Sequence, residues 1–187
     1  HDGINLNSNA IEAIENLTKS SKKIVFLSNA PRPSFEVIDF LLKMGMDKKY
    51  LSSVITSGEA AMYAINQNKF GKTFFHLGPP RDTSVFEKVR GNKTNIDQCD
   101  FILCTGLFDN YDNDLNFYRE FLKKHISKQL ICTNPDLTVH RGNIEELCAG
   151  SIAKVFEELG GKVSYFGKPH PEVYNLCFNK KEKVLAI

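Results

Sequence analysis

Short runs of consecutive apolar residues alternate along this chain with longer stretches in which apolar residues recur every three or four positions. Continuous runs rich in β-branched and aromatic side chains are typical of strands that are buried on both faces of a parallel sheet. Runs of this kind predict strands at residues 24–27, 54–56, 73–77, 100–104, 129–132, 163–166 and 183–187. Because parallel strands need crossover connections, the alternation predicts an α/β fold.

Helices are predicted in the stretches between these runs, beginning near residues 9, 34, 59, 85, 114, 143 and 171. Two capping-box patterns, at residues 9–12 and 143–146, support two of these starts, because an Asn side chain can accept from a backbone N–H of the first turn. The helix from Ser34 is predicted to end at Gly45. It is expected to place four apolar side chains inward: Phe35, Ile38, Leu41 and Leu42.

The composition is ordinary for a globular protein. Apolar residues make up 42% and charged residues 25% of the 187 residues, and the formal net charge is +2. So small a charge gives no reason to expect attraction to nucleic acid or to a membrane surface. No apolar run approaches the roughly 20 residues that span a bilayer, and the first residues carry no export signal, so a cytoplasmic location is predicted.

Several residue types that can bind metals do not form a recognisable metal-binding pattern. The five cysteines include no C-x-x-C pair, which favours reduced and mostly buried thiols and argues against a zinc site. The acidic run at 109–114 lacks the Gly and the distal Glu of an EF-hand loop, so it is interpreted as a helix start. His76 and His125 are interpreted as strand and helix-surface residues, and His170 as a residue that caps the next helix.

Polar segments follow three of the predicted strands at the point where each strand ends. They are Ser28-Asn29, Thr133-Asn134-Pro135-Asp136 and Gly167-Lys168-Pro169. In open α/β sheets ligands bind at the carboxyl ends of the strands, and free backbone N–H groups there suit an anion. A lysine directly after a strand supplies a positioned charge for a phosphate or a carboxylate. Each segment alone is more often a plain turn, but this order of all three is much less common.

In this order the segments resemble the motifs of the haloacid dehalogenase superfamily of phosphatases, in particular the subclass with a large α/β cap inserted between the second and third motifs. Leu27-Ser28-Asn29 is similar to the second motif and Gly167-Lys168-Pro169 to the third. Other parts of the chain resemble the segment after the first motif, the start of the cap, its substrate-facing part and the strand before the fourth motif. These parts are residues 1–3, 56–59, 133–136 with 141–142 and 148–150, and 183–187.

The resemblance implies a Rossmann-like parallel-sheet core with an inserted α/β cap. The core would comprise residues 1–57 and 162–187, and the cap residues 58–161. Relatives often dimerise through the cap, so a homodimer is a further expectation. The implied partner is a small phosphorylated metabolite.

The implied activity is Mg²⁺-dependent hydrolysis of a phosphomonoester through an aspartyl-phosphate intermediate. In that mechanism the Ser28 hydroxyl and the backbone N–H of Asn29 would hold a phosphoryl oxygen, while Lys168 would neutralise charge beside it. Four residues of the cap would face the substrate: Asn134, Asp136, His140 and Arg141.

The sequence departs from the family pattern at both ends. The first motif, which carries the nucleophilic aspartate, would lie before His1, and the fourth, which carries the Mg²⁺ ligands, would lie after Ile187. Asp2 is a poor substitute for the nucleophile because no apolar strand precedes it. The chain is therefore expected to be an inactive fragment of an active protein.

Two other functions are considered. One is a catalytically inactive relative that binds a phosphorylated ligand or partner, and the missing motifs leave it open. The other is a plain Rossmann-type nucleotide-binding domain, which needs a glycine-rich turn after its first strand. No G-x-G-x-x-G occurs in the chain, which argues against that domain.

Overall fold

The computed structural model describes residues 1, 3–179 and 181–186, and only the main chain of Arg141. Three groups of strands are found in this part of the chain. Strands β1 (Phe26–Ser28) and β2 (Val54–Thr56) form a parallel pair. Five strands form a second parallel sheet, in the order β4-β3-β5-β6-β9. They are β3 (Thr73–Leu77), β4 (Asn92–Lys93), β5 (Phe101–Cys104), β6 (Gln129–Cys132) and β9 (Lys162–Tyr165).

The predicted α/β fold class is therefore confirmed. Seven α-helices connect and cover the strands within the described residues. They are α1 (Ser8–Lys19), α2 (Ser34–Lys43), α3 (Ser57–Asn66), α4 (Ser84–Glu87), α5 (Leu115–Leu122), α6 (Ala149–Glu158) and α7 (Pro171–Tyr174). The start of α2 at Ser34 and the cap of α5 at Asp114 agree with the predictions, whereas β4 was not predicted.

The predicted helix start at residues 143–146 is wrong. Strand β7 (Thr138–Arg141) turns at residues 142–143 and pairs in antiparallel register with β8 (Ile144–Leu147). Helix α6 begins only at Ala149. A cross-strand partner supplies the backbone hydrogen bonds that a local helix would otherwise make, and the capping-box pattern carries no information about such a partner.

Two further local predictions are corrected. Helix α1 is capped by Asn7 and not by Asn9, because the Asn7 Oδ1 accepts from the Ala10 N–H at 3.1 Å. Phe35 does not point into the core, since it is 42% exposed and the ammonium of Lys88 lies 4.6 Å from its ring centre.

The predicted strand at 183–187 is also wrong for its described residues. Residues 183–186 form no strand, and Val184 and Leu185 are exposed. Ile187 lies outside the described residues. An apolar run becomes a strand only where a neighbouring strand pairs with it, and none of the described strands does so here.

The five-stranded sheet is covered on both faces, as its continuous apolar strands predict. On one face Phe74 and Phe101 pack with α3, and on the other Ile102 and Leu130 pack with α5 and α6. A separate cluster lies beneath α2 around Leu41. All five cysteines are buried and none is in a disulfide bond, in agreement with the prediction of reduced, mostly buried thiols.

The pairing of β9 bears on where the chain would return from the predicted cap to the predicted core. Residues 162–165 hydrogen-bond with β6 in the five-stranded sheet, although the predicted boundary assigns them to the core. The division of the chain into a core and an inserted cap stays a prediction.

Candidate active site

The three polar segments that follow β1, β6 and β9 meet through the side chain of Asn29. Its Oδ1 accepts from the backbone N–H of Lys168 at 2.7 Å. Its Nδ2 donates to Asp136 Oδ1 at 2.8 Å and to the carbonyl of Lys168 at 3.2 Å. Asn29 is only 8% exposed, so these bonds join residues more than 100 positions apart in the chain in a nearly dry environment.

Gly167 fits tightly between these segments. Its φ is +121°, and a Cβ at this position would lie 2.7 Å from the Cδ of Pro135 and from the Oγ of Ser57. It would also lie 2.8 Å from the Oδ1 of Asn29. Only glycine therefore fits here without displacing its neighbours.

Ser57 is a contributor that the sequence reasoning missed. It begins α3 directly after β2, and its buried hydroxyl donates to the carbonyl of Phe166. The available signal was the polar run Thr56-Ser57 at the end of the strand that pairs with β1. Ser57 fixes the main chain immediately before Gly167, so it supports the site although it lies in none of the three polar segments.

Ser28 is half-buried at the end of β1, where it was predicted to bind phosphate. Its Oγ accepts from the backbone N–H of Ala30 at 3.2 Å. This bond uses the hydroxyl oxygen as an acceptor, so the O–H can still donate to an anion. The carbonyl of Ala30 in turn accepts from Gly58 at 3.1 Å, which holds the loop after β1 against the start of α3.

Lys168 combines a fixed main chain with an exposed side chain. Both of its backbone hydrogen-bonding groups are bound to Asn29, and the peptide bond to Pro169 is cis. The side chain is exposed to solvent, where its ammonium can meet an anionic ligand. His170 follows at the N-cap of α7 without a side-chain capping bond, and its ring stacks on Tyr165 at 4.8 Å.

The four predicted cap contacts separate into two groups. Asn134 and Asp136 lie at the site, where the Asn134 Oδ1 accepts from the Asp136 N–H at 3.1 Å. His140 lies on the exposed hairpin, opposite Glu145, and no described contact brings it to Asn29. The main chain of Arg141 belongs to the same strand, and its side chain lies outside the described residues.

A sequence model described as haloacid dehalogenase-like hydrolase matches residues 1–91. The structure also matches a haloacid dehalogenase-like hydrolase from Brucella suis 1330, with 29% identity and a TM-score of 0.86. The first 91 residues are therefore similar in sequence to haloacid dehalogenase-like hydrolases, and the fold of the whole described chain is similar to one of them. No curated protein sequence gives a significant match.

Two other solved structures are also similar to this chain. A 4-nitrophenylphosphatase from Thermotoga maritima shares 27% identity at a TM-score of 0.69. NagD from Escherichia coli K-12, at 22% identity and a TM-score of 0.63, supports the fold alone. The three matches cover 94–95% of this chain and 65–70% of the relatives, so the chain spans about two thirds of their length.

No magnesium site is found among the residues that the structure describes. Within the described residues no group of three or more His, Cys, Asp or Glu side chains could hold a metal ion. Asp136, the acidic side chain bound to Asn29, has one carboxylate oxygen engaged there.

None of the helices in the described part of the chain is long and apolar enough to cross a membrane.

A second polar group, also missed from the sequence, lies at the carboxyl ends of β3 and β5. The Nε2 of His76 lies 2.8 Å from the Oγ1 of Thr105, and Asp82 is 5% exposed beside them. Burial lowers the pKa of His76 to about 3, with a smaller contribution from the charge of Lys93, so the imidazole is neutral. Burial raises the pKa of Asp82, although a hydrogen bond with Thr105 and the charge of Arg32 oppose this shift.

Proposed function

We propose that the intact protein hydrolyses the phosphomonoester of a small phosphorylated metabolite. The observation that supports this most directly is the Asn29 amide, which holds the main chain of Lys168 beside the end of β1. That contact brings the main chain of Lys168, which follows β9, to the carboxyl end of β1, where Ser28 lies. Anions bind at the carboxyl ends of strands in α/β folds. The match of residues 1–91 to the haloacid dehalogenase-like hydrolases agrees with this function.

The chemistry needs a carboxylate nucleophile, which the family resemblance assigns to a segment outside these 187 residues. Its oxygen attacks phosphorus, the ester P–O bond breaks, and the leaving oxygen takes a proton. Water then attacks the aspartyl-phosphate and releases inorganic phosphate. Dependence on Mg²⁺ is part of the same proposal, and the ligands would likewise come from outside this chain.

The contribution of this chain is electrostatic. Two anions, the carboxylate and the phosphoryl group, must approach each other in the first step. The ammonium of Lys168 lowers the free energy of that approach, while the Ser28 hydroxyl donates to a phosphoryl oxygen. The loop with Asn134 and Asp136 lies beside the site and would help to exclude water. His140 and Arg141 are proposed as substrate contacts from the hairpin.

The test is hydrolysis of p-nitrophenyl phosphate by the intact protein, with and without magnesium, in the parent and in Lys168→Ala. We expect the substitution to lower kcat by about 100-fold or more, as for the loss of other transition-state charge donors. Circular dichroism should stay unchanged because the Lys168 side chain is exposed. The matched control is Lys154→Ala on the exposed face of α6, which should keep full activity.

The outcomes separate the proposed enzyme from the alternative. Parent-like turnover in Lys168→Ala would remove Lys168 from the mechanism. An intact protein that binds inorganic phosphate but hydrolyses no phosphomonoester would instead be the inactive phosphate-binding relative.

A further inference from the structure

We propose that Asp136 is a positioning residue, which acts through Asn29 on the main chain of Lys168 and does not contact the substrate. The proposal rests on the proposed function, because it gives Lys168 the role of the positioned cation. It changes the role predicted for Asp136 from the sequence, where this residue was a substrate contact of the cap.

The orientation of the Asn29 amide depends on its three hydrogen-bonding partners. A primary amide has an NH₂ donor and a carbonyl acceptor, and the hydrogen bonds decide which way it faces. Here the oxygen meets the N–H of Lys168 and the nitrogen meets both the carbonyl of Lys168 and the carboxylate of Asp136. If the amide were rotated by 180°, its NH₂ would face the N–H of Lys168, and its oxygen would face the carboxylate of Asp136 and the carbonyl of Lys168. Asp136 therefore stabilises the one orientation that binds both backbone groups of Lys168.

The main chain of Asp136 is held on both sides by hydrogen bonds. The backbone N–H of Asp136 is bound to Asn134, and its carbonyl accepts from the N–H of Gly150 at 3.1 Å. Gly150 lies in the first turn of α6, and it packs so closely against the carbonyls of Pro135 and Asp136 that a Cβ would overlap them. The main chain that carries the Asp136 carboxylate is thus held against α6, which keeps the carboxylate close to Asn29.

Removal of the Asp136 carboxylate leaves an N–H of the Asn29 side chain without its partner. Asn29 is almost fully buried, so an N–H without a partner there is expensive and the amide can turn to reduce the cost. The main chain at Lys168 then loses its fixed partner, and the ammonium is displaced from its best position. Because small displacements of a charge affect the transition state most, kcat should fall about 10-fold to 100-fold while KM changes less.

The experiment compares two substitutions in the intact protein. Asp136→Asn keeps an oxygen that can accept from Asn29 but removes the charge, whereas Asp136→Ala removes both. A positioning role predicts that Asp136→Asn keeps most of kcat and Asp136→Ala does not. If both lose kcat alike, the charge itself is needed and the proposal is overturned. Asp39→Ala, an exposed aspartate on α2, is the control and should behave as the parent.

A second measurement does not depend on activity. The side-chain NH₂ signals of Asn29 in a ¹⁵N–¹H spectrum of the phosphate-free protein should shift in Asp136→Ala and return close to the parent's in Asp136→Asn. They should stay in place in Lys168→Ala, because Asn29 binds only the main chain of that residue. Unchanged signals in Asp136→Ala would overturn the positioning role. The expected shifts in a protein without phosphatase activity would retain that role and reject the proposed function.

Discussion

At the scale of single residues, the close packing of the candidate site requires a glycine at position 167. A side chain there would overlap atoms from three different segments, Pro135, Ser57 and Asn29. The positive φ adds a second restriction that is independent of packing. The residue is therefore a condition for the contact between Asn29 and Lys168, although it has no functional group of its own.

We expect Gly167→Ala to lower the free energy of unfolding by about 2–4 kcal/mol, from backbone strain and overpacking together. Gly160→Ala is the matched control, since Gly160 also has a positive φ, +89°, but nothing lies within 4 Å of its Cβ position. It should cost only about 1–2 kcal/mol. Urea unfolding of the two variants measures the difference, and equal losses would mean that the packing around Gly167 can relax.

At the scale of elements, the ends of helices show what a local pattern can and cannot specify. Helix α2 begins at Ser34 as predicted, although no side chain caps it. The start of α5 follows from Asp114, whose side chain accepts from the N–H of Phe117. At α1 two asparagines lie within three positions, and the structure uses Asn7 and not Asn9. Both patterns are compatible with the local sequence, so only the position of the helix on the core beneath it decides between them.

The two asparagines give a direct test. Asn7→Ala should lower the free energy of unfolding by about 1 kcal/mol, because the Ala10 N–H loses its side-chain acceptor. Asn9→Ala replaces a residue inside α1 with a better helix former and should raise stability by a few tenths of a kcal/mol, roughly. Chemical denaturation checks both values. If Asn9→Ala lowered the free energy of unfolding more than Asn7→Ala does, Asn9 and not Asn7 would be the capping residue.

At the scale of the whole molecule, the five-stranded sheet joins the segments between β3 and β9 into one unit with a core on each face. His76 is built into this unit as a neutral side chain. Its titration therefore affects the stability of the whole fold and not only the local loop.

The sign of the pH effect follows from the lowered pKa of His76. Between its ordinary value of 6.5 and about 3, the unfolded chain binds a proton at this residue and the folded chain does not. The free energy of unfolding should therefore fall as pH is lowered through this range, by about 2 kcal/mol between about pH 7 and about pH 5.

His76→Gln removes this titration while keeping a polar group that can bind Thr105. Urea unfolding of parent and variant at several pH values measures the difference in slope. Parallel pH dependences for the two proteins would contradict the contribution assigned to His76.

The sequence by itself determined the α/β class, three strands to the residue, and the segments that form the site. Continuous apolar runs are typical of strands that are buried on both faces, and the polar residues directly after them lie at the carboxyl ends of those strands. Ser28, Asn29 and Lys168 were predicted as site residues in this way, and their roles stay predictions. These features depend on the order of residue types along the chain, and that order is visible in the sequence.

Only the tertiary structure decided which of these residues touch. The partners of Asn29 are Lys168, 139 positions away, and Asp136, 107 positions away, and no local pattern encodes such distances. The same reason explains the errors at 143–147 and 183–186. Each segment has a local preference, but its backbone hydrogen bonds depend on which segments the fold places beside it. Residues 144–147 pair with β7 and form a strand. Residues 183–186 pair with none of the described strands and form no strand.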